Sequence, residues 1–171
     1  SLNFFKLIDD LWDTENNTDV LEIIPKLASA LKDEFSPYMP RVVSLLIDAF
    51  KTSCLSGQDD EKQFLILEVF RKLPKFAMDF MFIIIQQLCL TIVQPQVLEP
   101  TRLAALDTLR SLVQNFNCST YSSVIIRTCF QLSKQSATLR DSILQVLYSL
   151  AVSLNSKFSY YQQSLKAHDL L

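Results

Sequence analysis

The feature that most limits what this chain can fold into is an apolar stripe that returns about every 40 residues. Pro100–Phe116 reads PTRLAALDTLRSLVQNF, and Leu103, Leu106, Leu109, Leu112, Val113 and Phe116 recur there at spacings of three and four. That spacing predicts a helix with one apolar side, opened by Pro100 in the first turn, where a missing N–H costs nothing. Thr138–Asn155 repeats the pattern at an offset of 38: Arg140 answers Arg102, Leu144 answers Leu106, Leu147 answers Leu109, Ser149 answers Ser111 and Leu150 answers Leu112. Upstream, Gln63 stands in the place of Arg102, with Leu67, Phe70 and Leu73 under the leucines. Phe35, Phe76, Phe116 and Phe158 are 41, 40 and 42 residues apart, and each is followed by an aromatic: Tyr38, Phe80, Tyr121 and Tyr160 or Tyr161.

Helices are expected over Ser1–Trp12, from Thr18 or Asp19 to Phe35 with Pro25 delaying or bending the first turns, from Tyr38–Pro40 through Phe50, and over Asp60–Leu73. Further helices are expected over Met78–Val93, Pro100–Phe116, Tyr121–Ser133, Thr138–Asn155 and Ser159–Leu170. The polar stretch Thr52–Asp60, which holds Gly57, the single glycine, is a loop between repeats. A helix pair every 40 to 47 residues is the period of HEAT and armadillo arrays, in which each pair buries its apolar side only against its neighbours. The expected fold is therefore all-α, an α-solenoid of HEAT-like helix pairs with about four repeats and about nine helices. It comprises helix B of one unit and then four A–B pairs, with residues 1–171 as one segment. A compact helical bundle is the alternative, but bundles do not require such repetition. Because the chain ends at Lys166–Leu171 within the pattern, it is read as a piece of a longer solenoid.

Composition narrows the function classes. Of 171 residues, 49% are hydrophobic and 20% charged, which suits an ordered domain and not a disordered one. Sixteen basic and 18 acidic residues are mixed along the chain, so no basic footprint for nucleic acid or an anionic membrane exists. One glycine leaves no material for a phosphate-binding loop. The apolar segment Phe76–Val93 is broken by Asp79, Gln86 and Gln87 and falls short of the roughly 18 to 20 apolar residues that a bilayer span needs. It is expected to be a buried helix. Cys54, Cys89, Cys118 and Cys129 lack metal-ligand spacing and are expected to be buried free thiols. The sequons Asn16-Asn17-Thr18 and Asn117-Cys118-Ser119 matter only in a secreted protein, and nothing marks this chain as one.

Catalysis needs converging groups, and the sequence is poor in them. The single histidine, His168, sits in the final turn. There is no Gly-rich loop, His-Arg-Asp or Asp-Phe-Gly motif, and Asp79-Phe80-Met81 is only a partial match, so phosphoryl transfer by these residues is not expected. Asp9-Asp10, Asp33-Glu34 and Asp59-Asp60-Glu61 lack the alternating spacing of a calcium loop and read as solvated helix-end charge. No catalytic residue, cofactor or metal is expected. Arg41, Arg102, Arg127 and Arg140 recur at similar places, either pairing with acids such as Asp33, Glu99 and Asp141 or projecting towards a partner. Positions outside the stripes of the B helices give a candidate partner surface of Arg41, Gln87, Arg127, Gln131 and Lys134, with Ser44, Asp48, Gln86, Gln162 and Lys166 around it.

Four fragments carry a resemblance: Leu31–Pro40 (LKDEFSPYMP), Arg102–Leu109 (RLAALDTL), Tyr121–Ile126 (YSSVII) and Leu139-Arg140. In order and spacing they resemble the middle HEAT region of the target of rapamycin (TOR) kinases, over residues 25 to 165. The chain departs from that family in having Arg127-Thr128 after its Ile-Ile pair, where His-Pro is usual, and no proline within Phe82–Ile85. The resemblance implies a non-catalytic scaffold within a nutrient-responsive Ser/Thr protein kinase. It also implies protein partners such as Raptor- or Rictor-like subunits and a second TOR chain. The implied location is cytoplasmic, including the periphery of lysosomal, vacuolar or other internal membranes. An adaptor unrelated to TOR, such as a transport receptor or phosphatase scaffold, is the competing reading, and a small helical enzyme is the third.

Overall fold

The computed structural model describes residues 18–58, 61–73 and 75–169, together with Lys6, Asp10 and Trp12. The helix expected over Ser1–Trp12 lies outside the described residues apart from those three. Eight α-helices stand among the described residues: α1 Thr18–Leu31, α2 Met39–Leu55, α3 Glu61–Lys72, α4 Met81–Ile92, α5 Glu99–Asn115, α6 Ser122–Gln135, α7 Arg140–Leu154 and α8 Ser159–Ala167. No strand is present among these residues.

α2 packs on α3, α4 on α5 and α6 on α7, and each helix from α1 to α5 packs on the next but one. Contacts of α1 with α3, α3 with α5 and α5 with α7 make an A layer, and those of α2 with α4 and α4 with α6 make a B layer. A bond between the hydroxyls of Ser122 and Tyr161, 3.1 Å apart, ties α8 to the start of α6. This is an all-α solenoid, and the periodic stripes explain it: a helix flanked on two sides and covered on a third must present apolar residues over a wide arc. Leu106 and Leu109 of α5 and Val146, Leu147 and Leu150 of α7 are at most 1% exposed. Leu103, expected in the stripe, is 38% exposed, while Thr101, Arg102, Ala105 and Thr108 are buried. The buried arc is thus turned towards the neighbouring A helices, because the lateral contacts of a solenoid bury small and polar residues beside the leucines. Buried Thr91, Thr108 and Thr128 each donate to the carbonyl four residues back, at 2.7 to 2.9 Å, so no hydroxyl is stranded.

The phenylalanine ruler holds. Phe35, Phe116 and Phe158 are buried, and all four phenylalanine positions fall in the links from an A helix to its B helix. Phe35 meets Tyr38 at 6.2 Å and 50°, and Phe158 meets Tyr161 at 6.3 Å and 49°, the same pairing in the first and last repeats. Three links are 3₁₀ turns of four to seven residues, Lys32–Tyr38, Lys75–Phe80 and Asn155–Phe158, so α1 stops at Leu31 and α4 starts at Met81, inside the expected limits. Pro25 is buried within α1, which continues through it. Between repeats, Gly57 takes φ +70°, the left-handed conformation that glycine adopts without a steric penalty.

Candidate functional site

Two sets of side chains distinguish this solenoid, one locking the repeats together and one facing outwards from the B layer. The first begins with the residue that opens each A helix. Gln63 Nε2 donates to the carbonyls of Ser53 at 3.1 Å and Gln58 at 3.0 Å. One repeat later, Arg102 Nε donates to the Ile92 carbonyl at 3.0 Å and Nη2 to that of Gln94 at 2.8 Å. Each reaches back ten residues to the last turn of the preceding B helix, and the Arg102 cation also meets the negative end of the α4 dipole. Thr101, fully buried, donates to Gln63 Oε1 and joins the two straps.

The acidic partner expected for Arg102 is not used in this way. Arg102 bonds carbonyls, and Glu99 instead accepts from the hydroxyls of Ser136, at 3.1 Å, and Thr138. Those bonds hold the Glu99 carboxyl below its ordinary range. Arg140 is exposed: one residue and a 3₁₀ turn link α6 to α7, which leaves no loop to strap. Along the A layer, Asp107 accepts from Arg71 at 2.8 Å and Arg110 at 2.5 Å, Arg110 donates to Gln145 at 3.0 Å, and Gln114 donates to Ser149 at 3.2 Å. Being half-exposed, this ladder adds little energy, but it fixes the register of α3, α5 and α7.

All four cysteines are buried, and no disulfide joins any two of them. Desolvation pushes the Cys89 and Cys118 thiols from the ordinary 9.0 up to about 11, and raises Cys129 further. A thiol whose folded pKa is raised stabilises the fold fully below its unfolded pKa, and that contribution is lost as pH climbs towards the folded value. Stability should therefore begin to fall near pH 9 and continue to fall towards pH 11, beyond what a Cys89→Ala/Cys118→Ala/Cys129→Ala variant shows; a triple variant with the same alkaline slope would contradict this assignment.

The outward set lies on the B helices. Arg41, Arg127, Gln131 and Lys134 are exposed and Gln87 is half-buried. Between α2 and α4 runs an open groove of about 330 Å³, lined by Pro40, Val43 and Ile47 on one side and Phe80, Ile83 and Gln87 on the other, with Asp48 and Lys51 at its edge. Sequence reasoning took Phe76–Val93 for a buried helix, but Phe82, Ile83 and Leu90 are 49%, 46% and 52% exposed. Phe82 leans on Tyr121 at the foot of α6, with ring centroids 5.7 Å apart, while Ile83 faces the groove against α2. An apolar and amide-bearing ridge on α4 is thus flanked by the charged residues of α2 and α6. The available signal was α4 itself, apolar on every side although one side of a B helix has no neighbour to cover it.

No group of three or more metal-ligating side chains occurs among the described residues, and none of their helices is long and apolar enough to cross a membrane. No family model matches the chain. Nearly the whole chain is, however, weakly similar to TOR kinases. It is 24% identical over 162 residues, 93% of its length, to serine/threonine-protein kinase tor1 of Schizosaccharomyces pombe. It is 22% identical over 178 aligned positions, 99% of its length, to serine/threonine-protein kinase mTor of Drosophila melanogaster. The chain spans only 7% of the length of either relative.

Proposed function

We propose that this chain is a scaffold segment, a stretch of HEAT-type solenoid from a TOR-like kinase that positions accessory subunits and performs no chemistry itself. The observation that carries the reading is the ridge of Phe82, Ile83 and Leu90, half-exposed on a rigid layer and rimmed by Arg41, Arg127, Gln131 and Lys134. Apolar anchors inside a polar rim make a protein-binding face, because the anchors supply affinity and the rim supplies register. The rim is mildly basic, with Asp48 beside it, and its few charges do not make the large single-sign field that attracts a polyanion. Similarity to TOR kinases along the chain supports this reading, while the 40-residue period fits an unrelated HEAT or armadillo adaptor equally well. The partners are Raptor- or Rictor-like subunits or a second TOR chain, and the location is cytoplasmic.

The test is association with those subunits in a pull-down. Phe82→Ser, Ile83→Gln and Leu90→Gln together should weaken capture at least about tenfold while leaving helical signal and melting temperature nearly unchanged. Reversing Arg41, Arg127 and Lys134 to glutamate should weaken it through the rim. Undiminished capture by both variants would move the docking surface to the A layer or the loop around Gly57.

A further inference from the structure

The junction between α7 and α8 holds an unusual backbone. Asn155, the residue after α7, has φ 51° and ψ −124°. These are the angles of the first central residue of a type II′ turn, a position that favours glycine because a side chain there crowds its own backbone. Asn155 is exposed, and the next residue in sequence is Ser156. Substituents of a tetrahedral carbon are spaced about 120° apart in projection, so ψ of −124° brings Cβ of Asn155 almost into eclipse with the Ser156 backbone nitrogen. Eclipse of those two atoms is the torsion required by a five-membered imide closed between the side-chain Cγ and that nitrogen. A helical ψ near about −42° lies far from it.

We propose that Asn155 is a site of spontaneous deamidation through a succinimide, favoured by the folded backbone. The Ser156 backbone nitrogen attacks Cγ of the carboxamide, the bond from Cγ to the side-chain nitrogen breaks, and ammonia leaves with the proton from the backbone N–H. Water then opens the imide. Addition at the side-chain carbonyl gives aspartate, and addition at the main-chain carbonyl gives isoaspartate with the chain routed through Cγ. No oxidant or reductant is involved.

Other asparagines in the described chain are held differently. Asn115 is helical and its carboxamide donates to the Ser111 carbonyl at 2.9 Å, while Asn117 Oδ1 accepts from the Ser119 N–H at 3.2 Å. Either product at Asn155 places a carboxylate beside the C-terminal carbonyls of α7, where the helix dipole opposes negative charge. Isoaspartate also lengthens the turn that seats Phe158 and Leu165 in the core, both at most 6% exposed. The modification therefore loosens the last helix pair selectively.

Peptide mapping by mass spectrometry, after ageing the purified protein at mildly alkaline pH with and without urea, tests the proposal. Asn155 should convert faster in the folded protein than in urea, whereas Asn115 and Asn117 should convert more slowly when folded. A folded-state rate at Asn155 equal to or below its rate in urea would overturn it. Asn155→Gly, which takes this backbone without strain, should keep the fold and end conversion at this peptide. Asn155→Gln serves the same purpose if that variant misfolds, since closing the larger ring is slower; continued mass gain in that peptide in both variants would also overturn the assignment.

Discussion

Truncating Leu109 or Leu147 to alanine should each cost about 2 to 5 kcal/mol, read by urea denaturation as a lower midpoint at an unchanged slope. Both side chains are at most 1% exposed and lie at the centre of helices α5 and α7, which make the most extensive contact between any two helices among the described residues. The helices packed on α5 and α7 cannot close over a cavity there without shifting a repeat, so the loss belongs in the upper part of the range for leucine truncation. Leu103→Ala, on the same helix but exposed, should change stability by less than about 0.5 kcal/mol. Equal effects at Leu103 and Leu109 would mean that the helix is turned the other way.

The second large effect is expected at Arg102. Replacing it with methionine keeps much of its length and removes both straps, which leaves the Ile92 carbonyl without its side-chain donor and the Gln94 carbonyl with the Val97 N–H at 3.2 Å. Each acceptor that stays dry costs about 1 to 3 kcal/mol, and loss of the cation at the α4 C-terminus adds to it. A total of about 2 to 4 kcal/mol is expected, with fraying at the end of α4 visible as faster amide exchange around Thr91–Gln94. Arg140→Met, at the equivalent position in the sequence repeat, should be nearly silent because that side chain is exposed. Comparable losses at the two arginines would contradict the division between strap and surface.

That division marks how far the sequence could be read. The period, the A and B assignment and the place of each phenylalanine were legible because burial in a stack forces the same residue types to the same positions in every unit. The alignment of Gln63, Arg102 and Arg140 was also legible, but their roles were not. Whether such a residue straps the preceding helix depends on the length of the link before it. Gln63 and Arg102 follow loops whose carbonyls lie within reach of the side chain, and Arg140 follows a 3₁₀ turn.

The proposed docking face was half legible. Its rim, Arg41, Gln87, Arg127, Gln131 and Lys134, follows from reading the polar positions of the B helices. Its centre does not, because Phe82, Ile83 and Leu90 sit in a run so apolar that periodicity cannot tell the covered side from the open one. The torsion at Asn155 left no pattern at all. Asparagine next to serine is ordinary in sequence, and only the exit from α7 gives it φ 51°.

The most direct test of the scaffold reading places a photo-crosslinking residue at Ile83 or Gln131 on the B layer and at Tyr148 on the A layer, where the side chain is 73% exposed. With the TOR-type accessory subunits present, crosslinks to a subunit or to a second TOR chain are expected from Ile83 and Gln131 and not from Tyr148. Crosslinks to those partners from Tyr148 alone would contradict the account.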